Sequence, residues 1–224
     1  MDTDKNCDFS PLKQELQAQL TSIAHRLDRV MADLDENDTC LLNELDEISK
    51  SFMLSSALAS SYYLKCFLSP FTDKYDEISQ SIMRIRLKRL GALIVIERDV
   101  PVADLISPGI PLSAEITSSL LESIFVAGSP LHDGAVLIKG DKIVSAANIL
   151  PLTKKRFSGR KLGTRHRAAI GLSERSDALV LVVSEETGTT SFSLDGRLYP
   201  FSIPAPSEGS EFNETAAGSA AAKR

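Results

Sequence analysis

Four short apolar runs limit what this chain can fold into: Ala92–Ile96, Ala135–Ile138, Ile143–Ile149 and Ala178–Val183. Their length, and their Val and Ile content, predict strands in a buried sheet rather than helices. Helical patterns lie between them at about 115–126 and 164–174. Another precedes them from about 73 to 90, with Ile78, Ile82, Ile85 and Leu90 on one side and Arg84, Arg86, Lys88 and Arg89 around it. Alternating strands and helices predict an α/β fold, a mixed central β-sheet flanked by helices.

Ahead of residue 70 the apolar period is helical. Ser10-Pro11 reads as a helix start. Leu16, Leu20, Ile23, Leu27, Val30 and Leu34 follow at spacings of four and three, the seam of a helix packed on another helix. Asp35-Glu36-Asn37-Asp38 breaks the pattern. A second helix is expected from about Thr39 to about Cys66, with Leu41, Leu45, Ile48, Phe52 and Leu58 inward, and Ser69-Pro70 ends it. Residues 1–70 thus read as an N-terminal α-helical hairpin with no catalytic cluster, and His25 as a surface residue of its first helix. Residues 71–203 read as the main domain. From 204 to 224 the chain has little to bury and reads as a disordered tail.

The formal net charge is −5, so the whole surface is not built for nucleic acid. Residues 1–70 hold 12 acidic and 6 basic residues, against 18 and 19 in the remainder, so the anionic character belongs to the hairpin. Cys7, Cys40 and Cys66 are scattered and odd in number, which predicts reduced thiols. No basic start leads into an apolar run and no apolar run is long enough to span a bilayer; a cytoplasmic protein is the expectation.

No phosphate loop, dinucleotide fingerprint, His-Glu-x-x-His helix or nucleophile elbow is present. Three polar clusters stand instead beside the apolar runs. His132-Asp133-Gly134 precedes Ala135. By itself Asp-Gly is a turn pair; as chemistry, Asp133 handles a proton or orients a hydroxyl, and Gly134 admits a ligand close to the backbone. Gly163-Thr164-Arg165-His166-Arg167 opens a helix, with Thr164 as the expected N-cap. Two arginines at the positive end of a helix dipole break a local rule, and a phosphate chain would resolve the conflict. Lys154–Arg167 holds seven Lys or Arg residues and no acid, so a solvated basic loop is the plainer reading; a DNA-binding loop lacks a recognition helix and aromatic interleaving. Ser184-Glu185-Glu186-Thr187-Gly188 follows Val183. It reads as a hairpin turn closed at Gly188, or as a rim whose glutamates offer hard oxygen ligands to Mg2+ or Mn2+. An acid, a phosphate clamp and a metal ligand together are equipment for phosphoryl or nucleotidyl transfer.

These three clusters, in this order and spacing, resemble the signature of the diadenylate cyclase (DAC) domain over about residues 71–202. The helical N-terminus resembles the spore-type, CdaS-like branch, rather than the branches with transmembrane helices or a DNA-binding region. The resemblance implies an ATP-binding nucleotidyltransferase that makes cyclic di-AMP, a bacterial second messenger. Two domains would meet face to face, and each 3′-hydroxyl would attack the α-phosphate held by the partner. Asp133 would orient and help deprotonate that hydroxyl. Gly134 and Ala135 would lie against the nucleotide, and Leu150 on adenine. Gly163, Thr164, Arg165 and Arg167 would meet the phosphates, His166 would brace their turn, and Ser184 and Glu185 would line the nucleotide edge. His132 and Glu186 are the candidates for contact with the divalent metal.

Self-association follows from the same chemistry, since one domain holds half a reaction, and a homo-oligomer above a dimer is expected. The hairpin is expected to regulate how domains pair, so removing it should raise activity. A domain that binds ATP or cyclic di-AMP without turnover stays open, as does a helix-driven assembly protein whose basic loop binds another anion.

Overall fold

Residues 10–36, 41–155 and 162–202 are described by a computed structural model of the chain. Three helices come first: α1 (Ser10–Glu36), α2 (Leu42–Leu68) and α3 (Tyr75–Leu87). Then follow β1 (Ala92–Ile96), β2 (Ile110–Glu115), α4 (Ser118–Ile124), β3 (Ala135–Lys139), β4 (Lys142–Asn148), α5 (Thr164–Ser173), β5 (Leu179–Val183), β6 (Thr190–Leu194) and β7 (Arg197–Phe201). The seven strands form one sheet in the order β2-β4-β3-β1-β5-β6-β7. Only β1 and β3 pair in parallel; all other neighbours are antiparallel. The fold is therefore α/β with a mixed sheet, as the alternation predicts.

The unbroken apolar runs are the central strands, because a strand covered on both faces needs apolar residues on both. Ile94, Ile96, Val136, Ile138, Leu181 and Val183 point to the side of α3 and α4, whose Ile78, Ile82, Ile85, Leu121 and Ile124 complete that core. Leu93, Val95, Leu137, Val180 and Val182 point to the other face, where Ala168, Ala169 and Leu172 of α5 pack. Gly171, inside α5, lets the Pro151–Thr153 segment pass; a Cβ there would meet the Pro151 carbonyl oxygen at 2.1 Å.

The strands missing from the sequence reading are β2, β6 and β7. β2 is an edge strand, exposed along one face and interrupted by a bulge at which Ser113 has φ 53°. β6 and β7 form a hairpin around Asp195 and Gly196, both at positive φ. Asp-Gly between alternating segments is a strong hairpin signal, and that signal was present.

In the helical pair, Ile23, Val30 and Ile48 form the buried seam, with Leu41 against it. Leu20, Leu27, Leu34, Leu45 and Phe52, expected inward, are exposed, Phe52 at 58%. Two helices alone offer one narrow shared stripe, too narrow for every position of a wide apolar face. The second half of α2 belongs to the sheet instead: Leu64 and Leu68 lie in its core, and Ser61 bonds both the backbone N–H and the carbonyl of Ser202. Cys66 is disulfide-bonded, which overturns the expectation of a reduced thiol at that position. Cys7 and Cys40, the end of the expected break between the helices, residues 156–161 of the basic loop and the expected tail lie outside the described residues.

Candidate active site

Strand direction gathers the three polar clusters. β1 and β3 run in parallel, so the segments entering them lie at one end of the sheet. β4 and β5 run opposite to them, so the same end receives the segments that leave. The register shows it: Ala135 stands opposite Asn148, and Ala92 opposite Val183. At this end lies a cleft of about 1450 Å³. That exceeds the roughly 300–1,000 Å³ usual for a small-molecule pocket. Asp133, Gly134, Leu150, Gly163, Thr164, Arg165, His166, Ser184, Glu185 and Glu186 all line it.

Gly134 has φ +130°, and a Cβ on it would come within 2.7 Å of the Ala147 backbone. Only glycine fits there without strain. Opposite it, Asn148 is almost fully buried and ties the strands together. Its Oδ1 accepts from the Gly109 N–H at 2.9 Å and from Ser145 Oγ at 3.0 Å, and its Nδ2 donates to the Ala135 carbonyl at 2.8 Å. These bonds hold the backbone from which Asp133 projects. Ala147, at φ 57°, Asn148 and Ile149 line the cleft as well. Their part escaped the sequence reading, because a cross-strand amide network leaves no local pattern.

The second cluster opens α5. Gly163, not Thr164, is the N-cap residue; Thr164 is the first residue of the helix, and no side chain caps it. The first-turn N–H groups, which no helix can satisfy internally, thus stay available at the cleft. Arg165 reaches across to the third cluster, its Nη1 donating to Glu185 Oε2 at 3.0 Å. His166 is half-buried. Burial holds its imidazole below the usual histidine range, against the pull of Glu186, so the ring is neutral at neutral pH. The third cluster is both things expected of it: a turn, with Gly188 N–H donating to the Ser184 carbonyl, and a rim of the cleft.

Three candidates do not line the cleft. Ala135 is wholly buried behind it. The Nδ1 of His132 lies against the Ser129 carbonyl. Arg167 directs Nη2 toward the Thr153 carbonyl at 3.4 Å. Residues two apart on a helix diverge by about 200°, so Arg165 and Arg167 do not aim the same way. Leu150 is buried in the floor among the α5 residues.

Among the described residues no group of three or more His, Cys, Asp or Glu side chains could hold a metal ion. The cleft's carboxylates, Asp133, Glu185 and Glu186, still fit a divalent ion that takes most of its shell from water and substrate phosphates.

An α/β sheet with an acid, a basic helix start and two glutamates around one cleft defines a protein equipped to handle nucleotide phosphates. Residues 79–198 match the family described as DisA bacterial checkpoint controller nucleotide-binding (DAC). Residues 3–71 match the family described as Diadenylate cyclase CdaS, N-terminal. Diadenylate cyclase CdaS of Bacillus thuringiensis (strain BMB171) is 49% identical over 196 residues, covering 86% of this chain and 98% of that protein. Cyclic di-AMP synthase CdaS of Bacillus subtilis (strain 168) is 50% identical over 192 residues, covering 86% and 92%. A crystal structure from Bacillus cereus, described as a hypothetical membrane spanning protein, superposes with a TM-score of 0.74 at 48% identity, covering 86% of this chain and 95% of that one. The chain belongs to the diadenylate cyclase family of nucleotidyltransferases, in its CdaS branch, as its motifs led one to expect. Among the described residues no helix is long and apolar enough to cross a membrane.

Proposed function

We propose that this chain condenses two ATP molecules into cyclic di-AMP with release of two pyrophosphates. The observation that carries the reading is one cleft lined by Asp133, just before β3, and by Arg165 at the start of α5. In each half-reaction a 3′-hydroxyl oxygen forms a bond to an α-phosphorus, and the bond from that phosphorus to the bridging oxygen breaks. Pyrophosphate carries away the electron pair, and Asp133 orients the hydroxyl and accepts its proton. Two cyclase domains face each other, because each cleft holds one ATP and supplies one hydroxyl.

Thr164, Arg165 and the first-turn N–H groups receive the phosphates, where fixed donors and cationic charge offset the charge of the leaving group. Neutral His166 braces that turn. Leu150 and Ile149 offer apolar surface to adenine, and Gly134 and Ser184 line the nucleotide edge. Arg167 assists from the far side of the turn by holding the Thr153 backbone. Glu186, with Glu185 nearby, would hold Mg2+ or Mn2+ beside the phosphates, an ion that neutralises phosphate charge when bound. His132 steadies the loop before Asp133 rather than ligating. The protein acts in the cytoplasm as a homo-oligomer, with residues 1–70 limiting how cyclase domains pair.

Purified protein incubated with ATP and Mn2+ or Mg2+ should yield cyclic di-AMP by mass spectrometry. Asp133→Asn should still bind ATP but lose product by about 100-fold or more, the usual span of general base contributions. To test the hairpin, the cut belongs ahead of Leu64, because Leu64 and Leu68 are part of the sheet core; that shorter chain should be faster than the full one. If both chains bind ATP and neither forms product with either metal, the protein is a nucleotide sensor.

A further inference from the structure

Gly91 sits in the connection between α3 and β1, buried and just outside the lining of the cleft. A Cβ built on it would lie 2.2 Å from Arg165 Nη1, 2.5 Å from Cζ and 3.1 Å from Nη2. The three nearest atoms thus all belong to one guanidinium, which rests flat over the space that a side chain would fill. Its backbone is not in the left-handed region, so its own conformation does not demand glycine. What demands it is Arg165.

The same connection touches the opposite wall. Arg89, at φ 55°, donates from Nη1 to the Glu186 carbonyl at 3.2 Å, and the turn glycine Gly188 packs against the Arg89 side chain. Arg165 itself pairs with Glu185 of that turn at 3.0 Å. Lys88–Gly91 is therefore the common floor beneath the arginine and the glutamate turn.

We infer that Gly91 is a positioning residue for the phosphate-binding arginine: its missing side chain is the seat of the Arg165 guanidinium, and it sets where that guanidinium meets ATP. The inference rests on the reading of Arg165 as a phosphate ligand. A methyl group at position 91 collides with the free end of a flexible side chain, which can swing away. The expected consequence is a displaced arginine in a normally folded protein. Misplacement of a binding group by about 1 Å can cost on the order of 100-fold.

The test uses the full chain with Gly91→Ala, Arg165→Ala and the double variant. Gly91→Ala should keep the thermal midpoint and adenosine affinity of the parent, while its ATP affinity and its rate of product formation fall by roughly 10- to 100-fold. In the Arg165→Ala background it should add nothing. Three results overturn the inference while leaving the cyclase reading intact. One is unchanged ATP binding and turnover in Gly91→Ala beside a damaged Arg165→Ala. Another is an equal loss from Gly91→Ala in both backgrounds. The third is loss of cooperative unfolding in Gly91→Ala, since the collision would then involve more than the guanidinium. If Arg165→Ala binds and turns over ATP like the parent, the assignment of Arg165 falls, and this inference falls with it.

Discussion

Ile48 and Ile94 are both buried isoleucines, at 8% and 1% exposure, yet they sit in different kinds of structure. Ile94 lies on the central strand, inside a core closed by α3, α4, the end of α2 and neighbouring strands. Ile48 lies on α2 in a cluster whose other buried members are Ile23 and Val30. Around that thin seam the helical pair exposes Met31, Leu34, Phe52, Met53 and Leu54, each more than half accessible. The sheet covers its own apolar surface and the helical pair does not. An exposed apolar patch of this kind marks an interaction surface, which supports the proposal that the pair mediates self-association.

The contrast is open to measurement. The largest effect expected is from Ile94→Ala, which should cost toward the upper part of the roughly 2–5 kcal/mol range for such truncations. Ile48→Ala should fall at its lower end, about 2 kcal/mol, because a thin seam relaxes around the gap. Both are read from denaturant unfolding of the full chain, and equal losses would break the comparison.

A smaller effect concerns acid. His166, in the sheet domain, titrates below its unfolded value because burial disfavours the charged ring. Below pH 6.5 the unfolded state therefore binds more protons than the folded one, and stability should decline as pH falls from there through the folded value. His166→Gln should flatten that limb of a stability-versus-pH curve; an unchanged limb would mean that the ring is solvated.

The smallest effect is at the joint between the regions. Asp141, in the β3–β4 turn, accepts from Thr72 Oγ1 at 2.8 Å and from the Asp73 N–H at 3.0 Å, just after α2. The hydroxyl bond first, and then the backbone bond, hold its carboxyl below the usual aspartate range. Its contribution should be present above about pH 3.8 and disappear as pH falls through the folded value. Solvent screening keeps it small. Asp141→Asn should lower neutral-pH stability slightly and shrink the steepest acid limb, and no change would show that the turn does not brace the helices.

Much of this architecture was readable beforehand, and the failures share a cause. β1, β3, β4 and β5 announce themselves because both faces of a central strand are covered. β2 and β7 are edges with half their surface in solvent, so their apolar content is diluted. Period alone predicts Phe52 inward because it cannot say how wide a stripe the partner helix covers. At the site, Asp133, Arg165 and Glu185 stood out as polar interruptions beside apolar strands. Asn148 and Gly91 did not, since their roles are contacts with residues 13 and 74 positions away.

By itself, the sequence determined the α/β class, the helical start and the chemical identity of the three clusters, because these depend on local period and residue type. Only the tertiary structure decided that the clusters meet. One parallel pair among antiparallel strands brings the entries to β1 and β3 and the exits from β4 and β5 to one end of the sheet. It also decided that Arg165 faces the cleft while Arg167 turns toward Thr153. Strand order and side-chain direction follow from pairing between distant segments, and no local window of the chain contains that information.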